Sequence, residues 1–385
     1  MSHAPVRMPV PFDEPIYVTR PLMPPLASLM ARLEQVWTTR QLTNIGAQHD
    51  RLEDALRNYL GVRELSLFTN GTVALVTAIT ALELTGEVLT TPFTFPATPH
   101  ALSWSHVTPV FCDVDPDSLN LDPVAVERAI TSRTSGILAV HVYGNPCDVE
   151  GLRRVAERHG LKVIYDAAHA FSTRVQGRGI GTFGDVTMFS FHATKLFHTA
   201  EGGALACADA GLRHRFERLK NFGIAGQEIV EGIGLNGKMN ELQAALGLAV
   251  LDGMETETAR RRAILAIYEQ RLSGVAGVTL MPGVPGVAGG CQYCAIRIDA
   301  ETFGRSRDDV HLAFKTYNVL ARKYFFPLCS DYDCYRDLPS ARPEQLPVAS
   351  AAASQVLCLP LYGSLEHSAV HTICDILLSL AAPRS

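Results

Sequence analysis

Lys162-Val-Ile-Tyr-Asp-Ala-Ala-His-Ala170 is the stretch whose reading decides the fold. An apolar run of strand length ends on a carboxylate, Asp166, and small residues come next. This order places Asp166 at the C-terminal end of a strand, the edge where open α/β sheets bind ligands. Outward from it, short apolar runs alternate with helical patterns between Leu65 and Cys207. Strands are expected at Leu65–Phe68, Glu87–Thr91, Pro109–Asp113, Gly136–Tyr143, Lys162–Tyr165, Val186–Phe191 and Ala204–Cys207, with helices in most of the intervals. Such alternation implies an α/β unit whose mostly parallel seven-stranded sheet is covered on both faces.

Beyond this region the rhythm changes. Asn240 to about Leu272 reads as one long helical stretch. The remainder of the chain mixes strands (Cys294–Ile298, Val356–Leu359) with helices (Asp308–Tyr317, Leu365–Leu380). A chain of 385 residues is long for one core. The expected division is a large unit over residues 1–250, N-terminal segment included, and a smaller α+β unit over 251–385.

Composition narrows the classes of function. The chain is 47% hydrophobic and 19% charged, as suits a globular protein with ample core. A net charge of -5 without a Lys/Arg-rich run speaks against nucleic acid as a partner. No apolar stretch reaches the ~18 residues of a membrane span. The N-terminus, with Pro5, Pro9, Pro11, Pro15, Asp13 and Glu14, does not read as a signal peptide. Nine cysteines without a framework spacing read as reduced thiols in a cytoplasm.

Three further pieces carry chemistry. Phe189-Ser-Phe-His-Ala-Thr-Lys195 is an apolar strand running into a loop that ends on a lysine. A lysine that attacks an aldehyde must be partly desolvated, so that its amine is neutral. A carboxylate such as Asp166 is what pyridoxal phosphate (PLP) chemistry needs, because it keeps a pyridine nitrogen protonated. Strand-end aspartates also cap turns and most lysines lie on surfaces, so the pair is more telling than either member. Leu65-Ser-Leu-Phe-Thr-Asn-Gly-Thr-Val-Ala-Leu75 reads as strand, tight turn and helix. The N–H groups of Gly71, Thr72 and Val73 would open that helix toward an anion. Ser190 and Thr194 offer hydroxyls for the same phosphate. In Pro92-Phe-Thr-Phe-Pro-Ala-Thr98 an aromatic could stack on a ring or simply fill the core.

Together with Glu201-Gly-Gly203 and Gly234-Leu-Asn-Gly-Lys-Met-Asn-Glu-Leu-Gln-Ala-Ala245, these motifs resemble the DegT/DnrJ/EryC1/StrS family of sugar aminotransferases from about Leu42 to Leu361. The resemblance implies the aspartate-aminotransferase fold (fold type I), PLP and pyridoxamine phosphate as alternating cofactor forms, and a homodimer with shared active sites. It implies that Lys195 carries the cofactor and shuttles the proton, and that Asp166 pairs with the ring nitrogen. Phe95 and Ala168 would flank the ring, and His169 would lie near the ring oxygen. Gly71, Thr72 and Ser190 would hold the phosphate, and Asn236 would reach it from the partner subunit. Two departures stand out: Lys238 where an Arg is usual, and Ala47 where a Pro is common. His141-Val-Tyr-Gly144, Lys220-Asn-Phe-Gly-Ile224, Tyr324-Phe-Phe-Pro-Leu328 and Leu359-Pro-Leu-Tyr362 are similar to the branch that aminates C4 of dTDP-4-keto-6-deoxyglucose, with L-glutamate as donor and 2-oxoglutarate as product. A 3-keto or UDP-linked sugar is the alternative within the family, and a PLP-bound non-catalytic regulator is a distant one. O-antigen lipopolysaccharide or antibiotic sugars are the implied contexts.

Two other motifs lead elsewhere. Gly179-Ile-Gly-Thr-Phe-Gly184 fits a dinucleotide pattern, but a polar loop precedes it and a strand-like run comes after, so its context fails. Cys291-x-x-Cys294 with Cys329 and Cys334 lacks the two tight knuckles of structural zinc, and no metal is expected. His192 and His198 are expected to line the pocket of Lys195 or sit on its rim.

Overall fold

The computed structural model describes residues 10–281 and 286–381; Met1–Pro9 of the proline-containing N-terminus lie outside the described residues. Seven strands build the main sheet: β1 (Glu64–Phe68), β2 (Glu87–Thr90), β3 (Thr108–Phe111), β4 (Thr134–Val140), β5 (Lys162–Asp166), β6 (Val186–Ser190) and β7 (Gly203–Cys207). Their spatial order is β1-β7-β6-β5-β4-β2-β3. All pairs are parallel except those of β7, which runs antiparallel to both β1 and β6.

The helices that precede the C-terminal region are α1 (Leu26–Thr39), α2 (Ala47–Leu60), α3 (Gly71–Ala81), α4 (Ala97–Trp104), α5 (Pro123–Ala129), α6 (Val149–His159), α7 (Ala210–Leu219), α8 (Glu241–Leu251) and α9 (Met254–Leu272). Strand side chains alternate between the faces. On β4, Leu138 enters the core shared with α3, α4 and α7. Its neighbours Ile137 and Ala139 enter the opposite core under α6. Both faces are therefore buried, which is why these strands read as continuous apolar runs. A third core joins α2 and α8 to β1, β6 and β7 through Leu52, Leu56, Leu67, Phe189, Ala204 and Leu248.

The expected single helix from Asn240 to Leu272 is two helices. Asn240 and Gln243 form a capping box that starts α8, and the chain breaks at Asp252–Gly253, with Gly253 as the residue before α9. C-terminal to the break, strands Val278–Leu280, Cys294–Ile298 and Val356–Leu359 form an antiparallel sheet. Helices Ala300–Phe303, Arg307–Thr316, Pro347–Gln355 and His367–Ser379 belong to this region. Its core contains Ile264 and Tyr268 of α9.

The N-terminal segment, expected with the large unit, touches both regions: Leu22 packs against the third core, while Phe12 and Ile16 pack against the C-terminal one. Ile16–Tyr17 pairs in parallel with Val319–Leu320, and Leu361 N donates to Val18 O at 2.9 Å. It supplies the main-chain partner that the Val319–Leu320 edge lacks in its own unit. We propose that the two units divide at the Asp252–Gly253 break, with Phe12–Val18 attached to the C-terminal one.

The approach of β7 to the β1–α3 turn is unusually tight. A Cβ on Gly203 would lie 2.8 Å from both the Asn70 carbonyl carbon and the Gly71 nitrogen, main-chain atoms that cannot swing aside. Gly203→Ala is expected to lower stability by about 1–3 kcal/mol, checked by urea denaturation.

Candidate active site

β5 ends on Asp166 and β6 ends on Ser190, side by side, so both side chains emerge at the C-terminal edge of the parallel strands. Asp166 is 5% exposed. One carboxylate oxygen accepts the Ala168 N–H at 3.0 Å, and the other accepts the Thr98 hydroxyl at 2.9 Å. Thr98 Oγ1 lies 2.9 Å from Thr94 Oγ1, so a two-hydroxyl chain leads from the β2–α4 loop to the carboxylate. Burial pushes Asp166 above the ordinary carboxylate value, against the pull of these donors and of the Lys195 charge.

Lys195 ends the loop after β6, with its N–H donating to the His192 carbonyl at 2.8 Å. Desolvation pulls its amine down to about 8, while attraction to Asp166 opposes the shift. A substantial neutral fraction near neutrality is what a lysine needs to attack a carbonyl carbon.

The β1–α3 turn supplies an anion cradle. Asn70 caps α3 by accepting the Val73 N–H at 2.9 Å, which removes Val73 from the expected set of free donors. Gly71 and Thr72 keep first-turn N–H groups that need an outside partner. A Cβ on Gly71 would sit 3.1 Å from Ser190 Cβ and 3.3 Å from Ser190 Oγ. The bare glycine thus lets a helix N-terminus and a serine hydroxyl share one small space, as a phosphate requires.

His169 lies buried behind this edge. Its ring stacks on Phe325 at 5.7 Å and meets the edge of Tyr293 at 5.1 Å. Burial, with the Lys195 charge, holds it well below the ordinary imidazole value, so it stays neutral. Its Nδ1 is buried without a partner. An orphaned ring nitrogen, a desolvated lysine, a buried carboxylate and a helix N-terminus with donors to spare are together what a phosphorylated pyridine aldehyde would satisfy. PLP fits this donor set.

The remaining expected residues fall less centrally. Phe95, on the β2–α4 loop, is 56% exposed, whereas Phe93 is the core aromatic. Ala168 is half-buried beside Asp166. Asn236 is exposed; Lys238 donates to its Oδ1 at 3.0 Å and to Asn221 Oδ1 at 2.8 Å. Thr194 Oγ1 is engaged with His192 Nδ1 at 2.8 Å on the exposed side of the loop. His198 is buried, with Nε2 on the Leu22 carbonyl at 2.8 Å. Thr98, Tyr293 and Phe325 were not singled out from sequence, since their partners lie far away along the chain. Within Gly179–Gly184, Ile180–Thr182 is a 3₁₀ turn ahead of β6, with no α-helix after it to hold a dinucleotide. No group of three or more metal-ligating side chains occurs among the described residues.

Comparison with known proteins agrees with this geometry. The sequence profile of the DegT/DnrJ/EryC1/StrS aminotransferase family matches residues 27–378. The chain is similar to the dTDP-4-amino-4,6-dideoxy-D-glucose transaminase of Escherichia coli, with 44% identity over 369 residues, covering 95% of this chain and 99% of that protein. Its likeness to the enzyme of the same description from Shigella dysenteriae is 40%, covering 92% and 96%. Among solved structures, DesI in the presence of its TDP-sugar product superposes with a TM-score of 0.92 at 38% identity, covering 96% of this chain and 94% of that one. Helicobacter pylori PseC, an aminotransferase of pseudoaminic acid biosynthesis, gives 0.88 at 26%, covering 96% and 99%.

Thr98→Val removes a donor that favours the charged carboxylate, so the acid limb of the kcat/KM pH profile is expected to move upward. kcat/KM at neutral pH should fall about tenfold, the worth of one hydrogen bond to a charged group, with Thr98→Ser recovering most of it. The Lys195 amine is neutral above its shifted value. Capture of PLP by the apoenzyme, tracked by visible absorbance, should therefore quicken as pH rises through about 8 and then level off.

Proposed function

The chain belongs to the DegT/DnrJ/EryC1/StrS aminotransferase family, and from that premise we propose that it moves an amino group from L-glutamate to C4 of dTDP-4-keto-6-deoxyglucose, giving dTDP-4-amino-4,6-dideoxyglucose and 2-oxoglutarate. It is a PLP-dependent enzyme of nucleotide-sugar metabolism. The observation that carries the reading is the desolvated Lys195 amine beside the buried Asp166 carboxylate at the sheet edge.

When bound, PLP supplies an electron sink for the carbon that loses its proton and a carrier for the amino group between the two substrates. The protein's residues do the rest. Lys195 Nζ would hold the cofactor and, when its amine is free, would move a proton between two carbons. Asp166, which accepts from Thr98 and the Ala168 N–H, would keep a proton on the ring nitrogen. Neutral His169 offers its free nitrogen to the ring oxygen. Gly71, Thr72 and Ser190 would hold the phosphate, and Phe95 and Ala168 would lie beside the ring.

The working unit is a homodimer in which Asn236 of each chain serves the other's cradle. Exposed Ile229, Val230 and Ile233 on the hairpin before Asn236 support this assignment, since such side chains call for cover. A cytoplasmic setting is supported by cysteines that are all free. Among the described residues, no helix is long and apolar enough to cross a membrane.

The test is the visible spectrum of the PLP-loaded protein. Glutamate should bleach the band, dTDP-4-keto-6-deoxyglucose should restore it, and Lys195→Ala should lack the lysine-dependent band. Bleaching by glutamate without recovery on this sugar would shift the reading to a 3-keto or UDP-linked substrate; no lysine-dependent band at all would refute the class.

A further inference from the structure

Gln292 lies just before strand Cys294–Ile298 of the C-terminal unit and is 1% exposed. Its Oε1 accepts the Leu196 N–H at 2.7 Å, and its Nε2 donates to the Thr194 carbonyl at 3.0 Å. These two main-chain groups flank Lys195. One side-chain amide therefore bridges the peptide units on both sides of the lysine. The other donor to the Thr194 carbonyl, Thr19 Oγ1, stands at 3.4 Å, so the short bonds are those of Gln292.

Gln292 is itself anchored. Arg261, fully buried on α9, donates from Nη1 to the Cys291 carbonyl at 3.3 Å and from Nε to Glu257 at 2.6 Å. Glu257 also accepts the Gly363 N–H at 2.9 Å. On the other side of Gln292, the Tyr293 ring edge rests on His169. The short segment Cys291–Tyr293 thus grips the lysine loop and the buried histidine at once, while α9 holds the segment.

A lysine side chain is long and flexible, so the place of its amine depends on where its main chain is held. Misplacement by about 1 Å can cost up to about 100-fold in rate. We propose that Gln292 is a positioning residue for Lys195, and that it makes correct docking of the C-terminal unit a condition for the lysine's geometry. The inference rests on the reading of Lys195 as the cofactor-bearing residue.

Gln292→Met keeps the length of the side chain and removes both hydrogen bonds. Gln292→Glu keeps an acceptor for Leu196 N and sets a carboxylate oxygen against the Thr194 carbonyl. Both are compared with wild type and Lys195→Ala as full-length protein. For Gln292→Met, capture of PLP by the apoenzyme is expected to slow about tenfold, and the pH midpoint of the visible band to move. kcat should drop about tenfold with KM for glutamate within twofold, and Gln292→Glu should fall between. A folded Gln292→Met with wild-type capture rate and band midpoint overturns the proposal, as does a lowered thermal midpoint with both unchanged. If Gln292→Met does not fold, Gln292→Glu decides by the same two readouts. A wild type whose band equals that of Lys195→Ala overturns the reading of Lys195 itself, which is a different failure.

Discussion

Asp166 ends one parallel strand and Lys195 ends the loop after the next, near enough for the charge of each to act on the other. Each alone is costly there, and burial drives each toward its neutral form. Their mutual attraction opposes both shifts, and removing one partner strands the other in a medium that solvates it poorly. The surroundings obey this constraint. The Ala168 N–H and the Thr98 hydroxyl both point at the carboxylate. The chemistry is thus written into main-chain geometry at the sheet edge more than into any single side chain.

The division of labour between regions has the same logic. The groups proposed to carry the reaction sit on β5, at the end of β6 or in the loop after it, and on the β1–α3 turn. The proposed cradle offers an anion a helix terminus and a hydroxyl, with no Lys or Arg among Gly71, Thr72 and Ser190. Residues around Phe222–Ile233 are more exposed and carried on a short hairpin. Loops of that kind can change without disturbing the core that holds the buried groups.

The sheet was legible because a parallel strand buried on both faces must be apolar throughout, as Gly136–Val140 and Val163–Tyr165 are. Asp166, Lys195, Gly71 and Ser190 stood out because each ends or comes just after such a run. The direction of β7 was not legible, since a strand's pattern is the same read either way. The break at Gly253 hid inside a pattern that stays helical on both sides. Thr98, Tyr293 and Phe325 act across long sequence separations, and no local pattern marks a partner. The N-terminal segment illustrates the same limit: Ile16–Tyr17 is settled only by an edge some 300 residues away.

The sheet order has a consequence for how the chain comes to be folded. β1 is an edge strand whose neighbour in the sheet is β7. During synthesis the first strand of the sheet therefore waits for one of the last, and the loop closed between them spans most of the large unit. Pairings of such high sequence separation form late. The turn after β1 contains Asn70 and Gly71, whose main chain is pressed against Gly203. A nascent chain can accordingly assemble β2 to β6 and still lack its phosphate cradle. Cofactor that favours the finished cradle then stabilises the last step of folding over all earlier ones.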